Sequence, residues 1–213
     1  MTGRDSELTV KCFYGAGFGA NCYAVLDDTM QHAVIVDPSV PYRQAIDSLG
    51  FTPSFSAILL THAHADHLLA LDSWRSATGA PVMIGEGDAY ALDDPNASCA
   101  SFLGLGDLRF GQADVRLSNG DVISVGNESL RVLSTPGHSC GSVCFYTDGH
   151  LLSGDTMFAD GGVGRTDLFG GDESALYASI ASLIKFPSDT VVYPGHGQST
   201  TVGREARFHS YFL

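Results

Sequence analysis

The stretch Thr61-His62-Ala63-His64-Ala65-Asp66-His67 sets three imidazoles and a carboxylate into six consecutive positions, directly after the apolar run Ala57-Ile58-Leu59-Leu60. Packing offers no reason for such a cluster at the end of a buried strand, whereas imidazole and carboxylate together are donors for zinc, iron and manganese. At a strand end alternate residues can face the same way. His62 and His64 can therefore share one ion while the adjacent Asp66 and His67 address another, and the spacing predicts a site for two metals.

Three isolated positions supply the remaining donors: His138 in Thr135-Pro136-Gly137-His138-Ser139, Asp155 in Leu152-Ser153-Gly154-Asp155-Thr156, and His196 in Tyr193-Pro194-Gly195-His196-Gly197. Each follows an apolar stretch and adjoins Gly or Pro, the pattern of a loop leaving a strand. All three are expected at one sheet edge.

The elements that must position them alternate along the chain. Residues 8–14, 21–26 and 33–36 read as an antiparallel meander, 42–49 as a helix stopped by Gly50, and 57–60 as the strand bearing the cluster. A single helix is expected over 66–78 with Gly79 as its stop and Asp66 as a candidate N-cap. A short strand follows at 81–84. Residues 85–111 show little periodicity and read as a candidate lid. Strands are expected again at 122–125, 130–133, 143–146 and 151–152, with Asp148-Gly149 as a hairpin signal, then a helix over 173–184 and a strand over 190–193. Strands followed by a helix in both halves point to two mixed sheets packed face to face with helices outside.

Composition narrows the function. A chain of 213 residues with 44% apolar residues can bury a substantial core, and is read as one domain over 1–213. No apolar run approaches the roughly 20 residues needed to cross a bilayer, and the opening residues lack the order of a signal peptide, so no membrane association and a cytoplasmic location are expected. Five cysteines without a C-x-x-C pair suit a reducing compartment. They read as core fillers, with Cys140 and Cys144, close behind His138, the pair that could carry a third metal or a redox role. The formal charge of -13, with lysine only at 11 and 185, argues against nucleic acid as a partner. It leaves an anionic small molecule open, because bound ions set the field at a site. Two divalent ions with five neutral imidazoles, two carboxylates and one hydroxide would leave the site at about +1. His32, His150 and His209 lie outside these motifs and read as structural or exposed.

T-H-x-H-x-D-H followed by single His138, Asp155 and His196 resembles the metallo-β-lactamase superfamily, whose fold is an αββα four-layer sandwich with the metals at one edge. More narrowly, Ser153-Gly154-Asp155-Thr156-Met157-Phe158, Gly164-Arg165-Thr166-Asp167-Leu168 and the segment from Thr200 to Glu205 look like the short relatives of glyoxalase II, the hydroxyacylglutathione hydrolases. The resemblance runs from about Asn21 to the C-terminus. It implies that His62, His64 and His138 hold one ion, that Asp66, His67 and His196 hold the second, and that Asp155 bridges ions roughly 3.5–4 Å apart. Zinc is the first expectation, with iron or manganese as alternatives. Asp66 and Asp155 are the carboxylates assigned to catalysis, and a hydroxide generated between the ions would attack the carbonyl of a small acyl thioester, the oxyanion resting on metal. Arg165 is assigned to substrate binding, guiding an anionic acyl-thiol, or alternatively to anchoring its loop through Asp167.

A different chemistry shares these residues. Persulfide dioxygenases have this fold and a similar Gly-Arg-Thr-Asp segment, and the resemblance implies a single iron held by His62, His138 and Asp155, a facial triad with open positions. The chain departs from the short group at Ala70, where many members have Gly, and in its closing residues. It ends 17 residues after His196, so no C-terminal glutathione-binding helical domain is expected. β-Lactam hydrolysis is not the default expectation, because the ligand set is common to the hydrolases and no export signal is read.

Overall fold

A computed structural model of the chain describes residues 8–210; residues 1–7 and 211–213, which carry the signal-peptide reading and most of the divergent tail, lie outside the described residues. β1 (Thr9–Tyr14), β2 (Asn21–Leu26) and β3 (His32–Val36) form the expected antiparallel meander. From β3 the sheet continues in parallel through β4 (Ser54–Leu60), β5 (Val82–Gly85) and β6 (Val115–Leu117). In the second six-stranded sheet β7 (Val122–Val125), β8 (Glu128–Ser134), β9 (Val143–Thr147) and β10 (His150–Gly154) run antiparallel in sequence order. β10 is parallel to β11 (Val191–Pro194), and β12 (Thr200–Thr201) closes the edge.

Strand alternation sorts the apolar side chains into layers. On β4, Ile58 and Leu60 share a cluster with Ala45 of α1 (Tyr42–Leu49) and Trp74 of α2 (Leu71–Thr78), while Ala57 and Leu59 join Val132, Phe145 and Leu152 of the other sheet. The outer face of the second sheet, Leu151 and Val192, meets Leu176, Ile180 and Leu183 of α3 (Glu173–Leu183) and Val202 of α4 (Val202–His209). The result is the four-layer αββα sandwich. β2 lies between two such layers and is buried at every residue.

Three expectations need correction. Residues 66–78 are not one helix: a 3-10 turn, Ala65–His67, precedes α2, and the Ala70 N–H goes to the Pro38 carbonyl at 2.9 Å instead of joining a helical ladder. That break lets Asp66 and His67 turn toward the site. Asp66 makes no side-chain cap, since His64 occupies the cap position. Second, the 85–111 stretch is no free lid along its length, because Ala91, Leu92, Ala97, Ala100 and Phe110 are part of the first core cluster. Phe102 at its tip stands out most, 66% exposed, with Tyr90 and Leu108 also at the surface. Third, β6, β12 and α4 have short or polar sequences that periodicity does not reveal.

The histidines outside the motifs are structural or exposed. His32 opens β3 on the surface, His150 lies 3.1 Å from the Tyr193 hydroxyl, and His209 is buried at the end of α4. Cys144 is buried beside Thr135, whereas Cys140 is exposed with Sγ toward the Gly87 carbonyl and Asp88. Among the described residues no cysteine joins a group of three potential metal ligands.

Trp74 anchors the helical layer on the first sheet. It is fully buried, donates Nε1–H to the Val40 carbonyl at 2.8 Å, and packs edge-on against Tyr42 and Phe55 at 5.1 and 4.9 Å. Trp74→Ala is expected to cost about 3–5 kcal/mol, read as a lowered midpoint in urea unfolding with secondary structure retained in the absence of denaturant.

Candidate metal centre

All candidate ligands emerge from carboxyl-terminal strand ends. The 62–67 loop follows β4, His138 follows β8, Asp155 follows β10 and His196 follows β11. Because β3 and β4 are parallel, and β10 and β11 are parallel, these ends collect on one rim of the sandwich.

The seven sequence-predicted ligands come together there. His62, His64 and His138 can offer ligand atoms that all lie within 4.8 Å of one another, and so can Asp66, His67 and His196. Asp155 lies between the two triplets: Oδ1 is 3.3 Å from His67 Nε2, and Oδ2 is 3.6 Å from His138 Nε2 and 3.7 Å from His196 Nε2. A close approach of the backbone makes this possible, since a Cβ on Gly195 would stand 2.1 Å from Asp155 Oδ1 and 2.6 Å from His67 Cε1.

Neighbouring groups fix how the rings point. Thr61 Oγ1 donates to Asp37 Oδ2 at 2.8 Å, so its oxygen accepts from His62 Nδ1–H at 3.0 Å. His67 Nδ1–H donates to the same Asp37 oxygen at 2.9 Å, and His138 Nδ1–H donates to the Arg165 carbonyl at 2.8 Å. His62 and His138 thereby present bare Nε2 lone pairs to the cluster, and His67 does so once its Nε2 proton is displaced. His62 Nε2 and His138 Nε2 face each other at 3.2 Å, and two lone pairs at that distance repel unless a cation or proton lies between them. His64 Nε2, His67 Nε2 and Asp155 Oδ1 are buried without a hydrogen-bond partner. Native proteins rarely leave such atoms unsatisfied; here their donor types and convergence fit divalent cations.

Protonation follows the same geometry. Burial holds His62 well below the usual imidazole range, helped by His67 and His64, and takes His64 down to about 3. At His67 burial also opposes the charged form, but Asp155, Asp37 and Asp66 outweigh it and hold the ring well above its ordinary value. His196 is raised chiefly by its hydrogen bond to Asp66, 3.0 Å away. Burial pushes Asp155 up, yet His67, His138 and His196 bring it below the usual carboxylate range. Protons thus occupy places that cations would take.

Two carboxylates that spacing did not flag complete the site. Asp37, after β3, is buried in a left-handed backbone conformation (φ 50°) and also accepts the Thr61 N–H at 2.8 Å. Its charge would lower a site holding two divalent ions and a hydroxide from about +1 to about neutral. Asp88, buried within the supposed lid, accepts from Ala63 N–H at 3.1 Å, Ser139 Oγ at 2.7 Å and Gly141 N–H at 2.7 Å, tying the first ligand loop to that of His138. The signal for Asp37 was an acid at a strand end beside Pro38. Asp88 carried no local signal.

Arg165 lies at the rim, its Nε and Nη2 bound to the two carboxylate oxygens of Asp167 at 2.7 and 2.8 Å. Its loop is held from behind by Glu205 of α4, fully buried, which accepts from Asp160 N–H and Gly161 N–H at 3.2 and 2.7 Å. Asp37→Ala leaves His67 without its orienting acceptor, and the affinity for the ion that His67 would hold is expected to fall by about 10–100-fold. Chelator-competition titration checks this; an unchanged affinity would mean that Asp37 does not orient the ligand.

The Metallo-beta-lactamase superfamily model matches residues 15–196. An uncharacterized protein of Mycobacterium leprae is 39% identical over 204 residues, covering 90% of this chain and 92% of that one. A probable metallo-hydrolase of Bacillus subtilis is 38% identical over 189 residues, covering 86% and 87%. A hydroxyacylglutathione hydrolase of Photorhabdus laumondii is 33% identical over 174 residues, covering 81% of this chain and 60% of that protein. Among solved structures, the BLEG-1 B3 metallo-beta-lactamase superposes with a TM-score of 0.87 at 34% identity, covering 96% and 100% of the two chains. A di-iron-bound form of TTHA1623 gives 0.81 at 34%, covering 95% and 100%, and ETHE1 from Myxococcus xanthus 0.74 at 28%, covering 94% and 83%. By sequence, by fold and by the ligand types gathered at its rim, the chain belongs to the metallo-β-lactamase superfamily.

Proposed function

We propose that the protein is a binuclear metal-dependent hydrolase of small acyl thioesters, related to the hydroxyacylglutathione hydrolases. The observation that carries this reading is the pair of ligand triplets joined by Asp155, opening onto a cavity lined by His64, Asp66, His138, Asp155 and His196. Similarity to a probable metallo-hydrolase and to a hydroxyacylglutathione hydrolase supports it. Two bound ions would polarise the thioester carbonyl and lower the pKa of the attacking water. Zinc is the first candidate, with iron or manganese compatible with the same donors.

The chain's own groups supply orientation and proton handling. His62, His64 and His138 would hold one ion, Asp66, His67 and His196 the other, with Asp155 shared. Asp66 borders the cavity, so one of its oxygens can ligate while the other takes the proton released by the attacking water. Water adds to the acyl carbon, the carbon–sulfur bond breaks, and a carboxylic acid and a thiol result. Arg165 is assigned to the substrate side of the cavity, and its carbonyl keeps the His138 ring in place.

A second reading rests on His62, His138 and Asp155, with His138 Nε2 3.2 Å from His62 Nε2 and 3.6 Å from Asp155 Oδ2. Two imidazoles and one carboxylate can hold a single iron for oxygen chemistry, as in a persulfide dioxygenase, and the similarity to ETHE1 supports this alternative.

Elemental analysis of the purified protein, with assays on S-lactoylglutathione, other acyl thioesters, a β-lactam and glutathione persulfide, separates these chemistries. The expected result is two metals per chain with thioester turnover. One iron per chain with oxygen uptake on the persulfide transfers the assignment to the second reading. Asp155→Ala is expected to lower metal content and to reduce thioester turnover by more than about a hundredfold; full activity in that variant would remove the bridge from the mechanism.

A further inference from the structure

We propose that the substrate portion lodged beside the metals is apolar and uncharged, an alkyl or aryl acyl group, and that the cavity selects against a charged arm bearing two carboxylates, such as glutathione. This rests on the hydrolase reading above. The cavity measures about 400 Å³, within the usual range for small-molecule sites. Beside the ligands its lining includes Phe102, Leu103, Phe158, Val163 and Leu168, with the Phe158 ring 6.2 Å from that of His196. Cys99 completes it, a buried thiol whose pKa burial raises, so it is neutral and effectively apolar at neutral pH.

Arg165 is the cavity's one Lys or Arg, and its charge is already engaged. Both oxygens of Asp167 occupy its Nε and Nη2, and the guanidinium lies 5.6 Å from the centre of the Phe102 ring. Nη1 stays free, but a carboxylate binding there meets a guanidinium whose charge Asp167, two residues away, already offsets. The apolar wall is also preformed: the backbone between Phe158 and Val163 is pinned by Glu205 and by the Arg204–Asp160 pair, while Leu103 packs against the first core cluster. A preformed apolar wall rewards each methylene that leaves water.

Calorimetric binding of uncleavable thioethers tests this apart from catalysis. Metal-loaded protein is titrated with S-butyl-, S-hexyl- and S-octyl-N-acetylcysteamine, and with S-octylglutathione, which carries the same chain on a charged arm. The expected affinity rises roughly threefold to fourfold per methylene over the first additions, and the glutathione conjugate binds no more tightly than its neutral counterpart. Leu168→Glu is expected to weaken S-octyl-N-acetylcysteamine at least about tenfold with metal content unchanged. Phe102→Asp, at an exposed rim position that folding does not depend on, shifts affinity in the same direction. Affinity independent of chain length, or a glutathione conjugate bound tenfold more tightly than the neutral one, overturns the proposal. Turnover of the matching thioesters is scored separately. Chain-length-dependent binding without hydrolysis rejects the hydrolase reading and leaves the apolar cavity standing, and hydrolysis without that dependence does the reverse.

Discussion

Three imidazoles are held by their neighbours with Nε2 turned into the ligand cluster, His62 and His138 facing each other and His67 facing Asp155. Thr61 with Asp37, Asp37 alone, and the Arg165 carbonyl take the Nδ1 protons of His62, His67 and His138, and the rings cannot relax by flipping without stranding those acceptors in the interior. Like poles 3.2 Å apart are costly in a buried setting. A cation converts that repulsion into coordination, so the same hydrogen bonds that strain the metal-free cluster prepare it to bind.

Such a cluster spans two sheets and needs them locked at the rim. Asn21 donates Nδ2–H bonds to the carbonyls of Pro194 and Gly197 at 3.0 and 2.9 Å, the Tyr23 hydroxyl donates to Pro194 at 2.6 Å, and Val143 N–H reaches the Thr61 carbonyl at 2.8 Å. These bonds cross from the first sheet to the second beside the ligands, and Asp88 adds another crossing. The apolar interface between the sheets supplies the bulk of cohesion, and the polar crossings set the register of the two ligand sets. Folding and metal binding are thereby coupled.

The legible part of this architecture was whatever local chemistry makes improbable by chance. Four donors packed into 62–67, three more beside glycine at 138, 155 and 196, and the apolar strands such as 21–26 and 57–60 could be read directly from the sequence. The supporting acids could not. Asp88 earns its place through Ala63, Ser139 and Gly141, contacts made only once the chain has folded back on itself. The helix expected over 66–78 failed for a related reason: Asp66 and His67 are recruited by the rim, and that demand outweighs helical continuity. β6 and β12 are three and two residues long, too short for periodicity to register.

Electrostatics connects the supporting acids to substrate choice. A chain of formal charge -13 would repel anions over distance, and metal charge could overcome that only if left unbalanced. With two divalent ions and one hydroxide, Asp37, Asp66 and Asp155 would instead bring the site to about neutrality, and Asp167 engages the nearby guanidinium. With neither an unbalanced cation nor a positive field to draw an anion in, the remaining source of binding free energy is apolar contact along Phe102, Phe158 and Leu168. On that reading a neutral acyl group would gain that contact with little desolvation penalty, whereas a carboxylate-bearing arm would lose hydration and meet only a guanidinium already offset by Asp167. On the proposed reading, the acids that hold the imidazoles in place would therefore also bias the cavity toward uncharged substrates.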